Sequence, residues 1–298
     1  MNNNNNNTNK ELYSETIILN STNYVANSGN RFEFKFKNGE AIFPQGSKLA
    51  LLRTSIYNCV YNISSALGNN TFSVRWINGT VYNSVVKDGY YSISDLNYFI
   101  ANYLYSNNLY TTDSDNTTDF TSYIFLSADS IAYGSTLVVD VIPSASTALA
   151  SGISKPTTAT WSFPSTASQP EITFCEGLKT LLGLTQLSTY GSRTNTSQTI
   201  YYSASTPIVS TIDSYILTCN MIYNRLSTSY GNVLHSIPLG GSSFGEQIED
   251  SSSYGINYLN IVPNRYSTLV IEVLDQKFNP VKLLDPEVNI MISIQYPA

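Results

Sequence analysis

Charge is what this chain of 298 residues has least of: Asp, Glu, Lys and Arg together make 12% of it, against roughly 25% in an average soluble domain. Its polar surface must therefore come from Asn, Ser, Thr and Tyr. The 15 basic residues are scattered singly and outnumbered by 21 acidic ones, for a net charge of −6 and a pI near 4.8. No cationic cluster exists to displace counterions, which argues against specific nucleic-acid binding. Three cysteines, Cys59, Cys175 and Cys219, are odd in number and widely spaced, with no C-x-x-C. That is neither a disulfide framework nor a zinc site, and small buried thiols are expected instead, Cys59 and Cys219 within strand-like runs. No apolar run approaches the roughly 18 residues of a membrane span. The opening "MNNNNNNTNKE" lacks the basic and apolar regions of a signal peptide, so synthesis and folding in a reducing cytosol are expected. Asn20-Ser-Thr, Asn62-Ile-Ser and Asn78-Gly-Thr match glycosylation acceptors, but such matches arise by chance in an Asn/Ser/Thr-rich chain.

What is present favours strands. There are 23 Tyr against 2 Trp and 3 Met, with Thr, Val and Ile throughout; hydroxyls, amides and rings are also what interfaces use. Residues 1–12 form an Asn tract that cannot build a core and is expected to be a flexible arm. Phe32, Phe34 and Phe36 then alternate with Glu33, Lys35 and Lys37 and run into Asn38-Gly39, the favoured pair for a type I′ hairpin turn. Ser47–Ile63 reads as a central strand, and a second Asn-Gly stands at Asn78-Gly79. In "GYYSISDLNYFIANYLYSNNLY", Leu96, Phe99, Ile100, Tyr103 and Leu104 fall at helical spacing. Ser92 with Asp95 resembles a capping box. After a Ser/Thr/Ala/Pro stretch, a short helix is expected in "EITFCEGLKTLLGLT", stopped by Gly183. From about Ser203 the chain returns to strands. It closes on two apolar runs, Leu269, Ile271 and Val273 alternating in the first, Val288, Ile290, Ile292 and Ile294 in the second, joined by a polar connection with Pro280 and Asp285. Strands at both ends around a helix-bearing middle predict one β-sandwich interrupted by an insertion, with two consecutive domains as the competing arrangement.

Candidate chemistry is thin. His235, the only histidine, would have to serve any Ser-His-Asp or Cys-His site, yet "NVLHSIP" is a strand-like run without a strained nucleophile turn; a structural imidazole is the better reading. Asp113, Asp115 and Asp119 in "DSDNTTD" offer the oxygen ligands of a calcium loop, but the turn glycine and the distal Glu are missing, so a solvated loop is expected. Glu246, Glu249 and Asp250 in "GEQIED" would be half of a glycosidase pair placed in a mobile-looking segment. "PLGGSSFGE" lacks the Lys-Ser/Thr end of a P-loop. No catalytic, cofactor or metal site is predicted, and the partner-binding residues stay unassigned.

The C-terminal third carries a resemblance. "SYILTCNMIYNR", "NVLHSIPL" and "INYLNIVPNRYSTLVIEVLDQKFNPVKLLDPEVNIMISI" resemble the penton (minor capsid, vertex) proteins of virophages and related Polinton-type viruses. So do "FPQGSKLALLRTSIYNCVYNIS", "GYYSISDLNYFIANYL" and "GLKTLLGL" upstream. None of these motifs is catalytic. The resemblance implies an all-β chain: a single jelly-roll sandwich with a mostly β insertion domain carrying one or two short helices. The boundaries this suggests are an arm at 1–12, a discontinuous jelly roll at 13–79 and 203–298, and an outward-facing insertion at 80–202. It further implies a non-enzymatic homopentamer at icosahedral vertices, contacting the major capsid protein, with the insertion available to a host surface. The alternative is a virion fibre head or a carbohydrate-binding sandwich. A hydrolase using His235, Glu246 or Glu249 is a third reading.

Overall fold

The computed structural model of the chain describes residues 12–113, 116–208, 212–223, 231–251 and 255–297, with the side chains of 116–119 set aside. All of the expected arm except Leu12 lies outside the described residues. Contacts divide the chain into two units, Met1–Val60 with Ile212–Ala298, and Tyr61–Thr211.

The first unit opens with β1 (Leu12–Asn20), β2 (Arg31–Lys35), β3 (Ala41–Phe43) and β4 (Lys48–Tyr57). The second unit holds β5 (Thr71–Arg75), β6 (Val81–Val85), α1 (Ile93–Ser106), β7 (Thr111–Asp113), β8 (Asn116–Thr121), β9 (Ile124–Asp129), β10 (Gly134–Val139), α2 (Ala145–Ala150), β11 (Ile153–Ser154), β12 (Glu171–Phe174), α3 (Glu176–Leu182) and β13 (Thr199–Tyr202). The chain then returns to the first unit with β14 (Ser214–Cys219), β15 (Val233–Pro238), β16 (Gln247–Ser251), β17 (Leu259–Asn260), β18 (Asn264–Tyr266), β19 (Thr268–Leu274) and β20 (Asn289–Pro297).

In the first unit one antiparallel sheet has the order β1-β20-β4-β16, with β17 also on β4, and a second has the order β15-β14-β19-β2. Their inward residues share one core: Ile17 and Leu19 of β1, Phe32 of β2, Leu217 of β14, Leu269, Ile271 and Val273 of β19, and Ile290, Ile292 and Ile294 of β20. Counting β16 and β17 as one interrupted strand and leaving aside the small β3–β18 pair, the sheets read 1-8-3-6 and 2-7-4-5. That order is the double Greek key of a jelly roll. The two closing apolar runs of the sequence are therefore successive strands that do not pair. β19 hydrogen-bonds to β14 and β2, while β20 sits between β1 and β4 in the other sheet.

Asn38 and Gly39 have φ of 66° and 87°, the positive values a type I′ turn requires. Yet β2 pairs with β19 and β3 with β18, so no hairpin forms there. The core-facing Phe32, fully buried, is placed by its long-range partner and not by the local turn.

β4 shows how one extra residue resets a buried face. Leu51 stands opposite Ile292 and Arg53 opposite Met291, leaving Leu52 as the extra residue of a bulge. Before it Leu49 and Leu51 are buried in the core; after it the buried parity passes to Thr54 and Ile56. Thr54 is 1% exposed and its hydroxyl has no hydrogen-bond partner. A buried unpaired hydroxyl costs about 1–3 kcal/mol. Thr54→Val, which keeps the shape and removes the hydroxyl, is expected to raise unfolding stability by about 1 kcal/mol in denaturant titrations. A loss of stability would mean that the hydroxyl is satisfied.

The second unit packs three small sheets, β12-β5-β6, β13-β10-β9 and β11-β7-β8, with its helices around a separate core. The hairpin β5–β6 belongs here: β5 pairs with β12 as well as β6, and Phe72 and Val74 enter this core. Unit boundaries thus fall at 60/61 and 211/212, outside the 79/80 and 202/203 read from the sequence. Helix α1 buries Ile93, Leu96, Ile100 and Leu104, and Ser92 and Asp95 form the reciprocal capping box. Hydrogen bonds from Ser92 hold the Asp95 carboxyl below the usual carboxylate range. α3 ends at Gly183 with φ of 71°, and a Cβ there would stand 2.1 Å from the Ser205 carbonyl oxygen, so only glycine fits. The third helix, α2, lies in the Ser/Thr/Ala stretch, where the sequence reading had none; Ser144 caps it by accepting from the Thr147 N–H.

Amides replace charges inside this unit. The Gln169 side chain is fully buried and donates to the carbonyls of Val139 and Ser197, both at 2.8 Å, while its oxygen accepts from Ser192 N–H. Asn62 pairs twice with the Tyr91 backbone at 2.8 Å, as a strand neighbour would. Asn69 accepts from Ser64 N–H and donates to the Asn62 carbonyl. Each satisfies backbone groups that irregular segments leave open.

Candidate assembly surfaces

The residues that the sequence offered for chemistry do not converge. Glu246 precedes β16, whose Glu249 is bound to Arg53 at 2.8 Å on an exposed face; this segment is a strand, not the loose loop its glycines and serines suggested. His235 on β15 meets Asp250 on β16, Nε2 to Oδ2, at 2.6 Å. These are the edge strands of the two sheets on one flank of the sandwich, so the pair ties sheet to sheet. Asp113 ends β7 and stands opposite Asn116 at the start of β8, so strands flank the expected loop. Asp115 lies outside the described residues, as does the side chain of Asp119. Among the described residues no three His, Cys, Asp or Glu side chains gather as metal ligands.

The thiols are free. Cys219 is wholly buried, and burial pushes its ionisation up to about 12. Cys59 lies just past the end of β4 rather than in a strand; it is buried against the Asp285 backbone, and desolvation raises its pKa too. Of the three glycosylation matches, Asn62 is 1% exposed and fully engaged, so it cannot take a glycan in the folded chain. Asn20 and Asn78 spend their side-chain oxygens on local turns.

What the first unit does present is edges. A sheet edge offers unpaired N–H and C=O groups to another chain unless it is short, charged or interrupted. β2 carries Arg31, Glu33 and Lys35, and β15 ends in Pro238. β16 and β17 are short, and β16 is charged. β1 has none of these devices: it is nine residues long, pairs with β20 on one side, and its single charge, Glu15, accepts from the Tyr296 hydroxyl at 2.9 Å. Its Leu12, Tyr13 and Ile18 are about half exposed.

At the end of the sandwich where β1 begins there is also an open groove of about 1070 Å³, lined by Gln45, Gly46, Tyr223, Tyr258, Asn260 and Asn264 among others, with no charged side chain among the described residues that line it. The second unit presents rings of its own: Tyr105 stacks on Tyr110 at 5.0 Å and meets Phe120 at 4.9 Å. Tyr98, seven residues before Tyr105 on α1, is 70% exposed. Neither the unguarded edge, the groove nor the ring cluster was foreseen from the sequence: the edge is defined by the pairing of β1 with distant β20, the groove draws its walls from residues 45 to 266, and the rings, though all within 98–120, meet only once α1, β7 and β8 have folded.

No family model matches the sequence, and no curated protein does. Among solved structures, the mavirus penton protein aligns with 96% of this chain and 98% of its own at 10% identity and a TM-score of 0.41. A chain of the Sputnik virophage determined by cryo-EM aligns over the same shares at 11% identity and a TM-score of 0.41.

Proposed function

We propose that the chain is a structural, non-enzymatic capsid protein that forms homopentamers at the fivefold vertices of an icosahedral virion and contacts the surrounding major capsid protein. The observation that carries this reading is the topology: a 1-8-3-6/2-7-4-5 jelly roll whose third and fourth strands are separated by the unit Tyr61–Thr211. Jelly rolls are a standard shell architecture. A closed ring requires a heterologous contact, with one flank of each copy meeting the opposite flank of the next. The flanks here differ as such a contact demands. One bears the unguarded β1 edge, the other the short edge strands joined through His235 and Asp250. Most of the motifs that resemble those of virophage vertex proteins lie in the jelly roll, in β4, β14, β15 and β17–β20, and the low charge of the surface suits contacts made by amides and phenols.

Under this reading 61–211 is the domain that faces outward. Its exposed Tyr98, Tyr105 and Phe120 favour a role in touching a host surface, the one feature that the attachment-module alternative shares. Native mass measurement of the purified protein discriminates the two. Five copies, with capture by the major capsid protein, are the expected result. A trimer that ignores the capsid protein would instead make the chain a fibre-type attachment module.

A further inference from the structure

We propose that the groove at the end of the jelly roll where β1 begins is the docking site of the same chain's first eleven residues. Three observations converge on this occupant. The first is chemistry: amides and phenols, Gln45, Asn260 and Asn264 with Tyr223 and Tyr258, alternate in the groove's wall with aliphatic side chains such as Ile222 and Leu259, and none of the described residues that line it is charged. The segment 1–11 has seven Asn among its first nine residues and no charged side chain before Lys10. Each Asn brings two donors and an acceptor, which the amides and phenols of the wall can meet.

The second is place. Leu12, where the described chain begins, stands opposite Pro297. A Cβ on Gly46, itself in the groove wall, would lie 3.5 Å from the Pro297 ring. The groove's rim is thus next door to the residue from which the segment departs. The third is length. Eleven extended residues span at most about 36–40 Å, ample to enter and run along the groove. Tethering at that distance gives an effective concentration in the millimolar range. A contact too weak to hold a free peptide therefore suffices within one chain. The inference does not depend on the vertex reading, because it needs no second copy.

Hydrogen-exchange mass spectrometry on the full chain and on a chain lacking 2–11 tests it. Removing the segment is expected to speed exchange at least tenfold in 258–264, leaving β19 unchanged. Tyr223→Ala and Asn260→Ala, both at exposed positions, should reproduce that loss in the full chain. A photo-reactive side chain at position 5 should cross-link into 255–266 of its own copy in mixtures of isotopically heavy and light protein. Unchanged exchange on truncation would overturn the proposal. So would cross-links that map elsewhere, or that join heavy to light copies in proportion to their mixing. The native mass is read separately, so a pentamer with an empty groove and a monomer with a filled one are distinct results.

Discussion

Trp161→Ala is expected to destabilise the unit 61–211 by about 3–5 kcal/mol. Trp161 is 1% exposed, and its ring meets Trp76 at 5.5 Å and Phe163 at 5.4 Å, both edge to face. Its Nε1–H donates to the Asn108 carbonyl at 2.7 Å, holding a residue whose φ of 58° is left-handed. Truncation leaves a large cavity, an unpaired carbonyl and a released turn together. The two cores share no residue, so the loss should be local. Hydrogen exchange in the variant should accelerate through α1, β5 and β12 while β4, β19 and β20 keep their protection. Equal loss in both units would show that the cores stand or fall as one.

The second large effect appears at alkaline pH. Cys219 is buried at the centre of the jelly roll, and desolvation raises its ionisation from 9.0 to about 12. Burial, followed by the neighbouring Cys59, raises Tyr215 as well. For an acid whose folded value lies above its unfolded one, stability is full below the unfolded value. It is lost as pH rises towards the folded value, because the unfolded chain ionises first. The thiol alone should therefore remove about 1.4 kcal/mol per pH unit from pH 9 upward, approaching about 4 kcal/mol at pH 12. Tyr215 adds to the loss from about pH 10, the model phenol value. Denaturant titrations between pH 8 and 11.5 measure this, and Cys219→Ala should flatten the first part of the decline. Parallel curves for variant and parent would mean that the thiol is not shielded as described.

How far the sequence foretold these features depends on the range of the interaction that sets them. The inward faces of β19 and β20 were legible, since alternation is a local property and Leu269, Ile271, Val273, Ile290, Ile292 and Ile294 all reach the core. Their assignment to opposite sheets was not legible. It is decided by partners such as Phe34 opposite Leu269 and Ile17 opposite Ile292, hundreds of residues away. Helix α1 and its cap were visible because Ser92, Asp95 and the apolar spacing lie within one window. The hairpin β5–β6 was visible as strands but went to the wrong unit, since nothing inside it names β12 as its third strand. Helix α2 left a faint mark in Ser144 and the alanines after it, masked by a composition that reads as loop. The surfaces fared worst. No short pattern marks an edge as unguarded or walls a groove with residues from 45 to 264.

The position of β20 also bears on the order in which the molecule can be made. Of the strands in its sheet, β1 is made first and β20 last, yet among the described residues β1 finds its only strand partner in β20, from Leu12 opposite Pro297 to Asn20 opposite Asn289. A nascent chain emerging from the ribosome must therefore carry β1 without that partner until β20 is free. The unit 61–211 is continuous in sequence and complete well before that point. Domains generally fold as units in the order in which they emerge, so the unit 61–211 should fold first and the jelly roll only once β20 has emerged. Translation itself thus keeps the jelly roll open until its eighth strand is made.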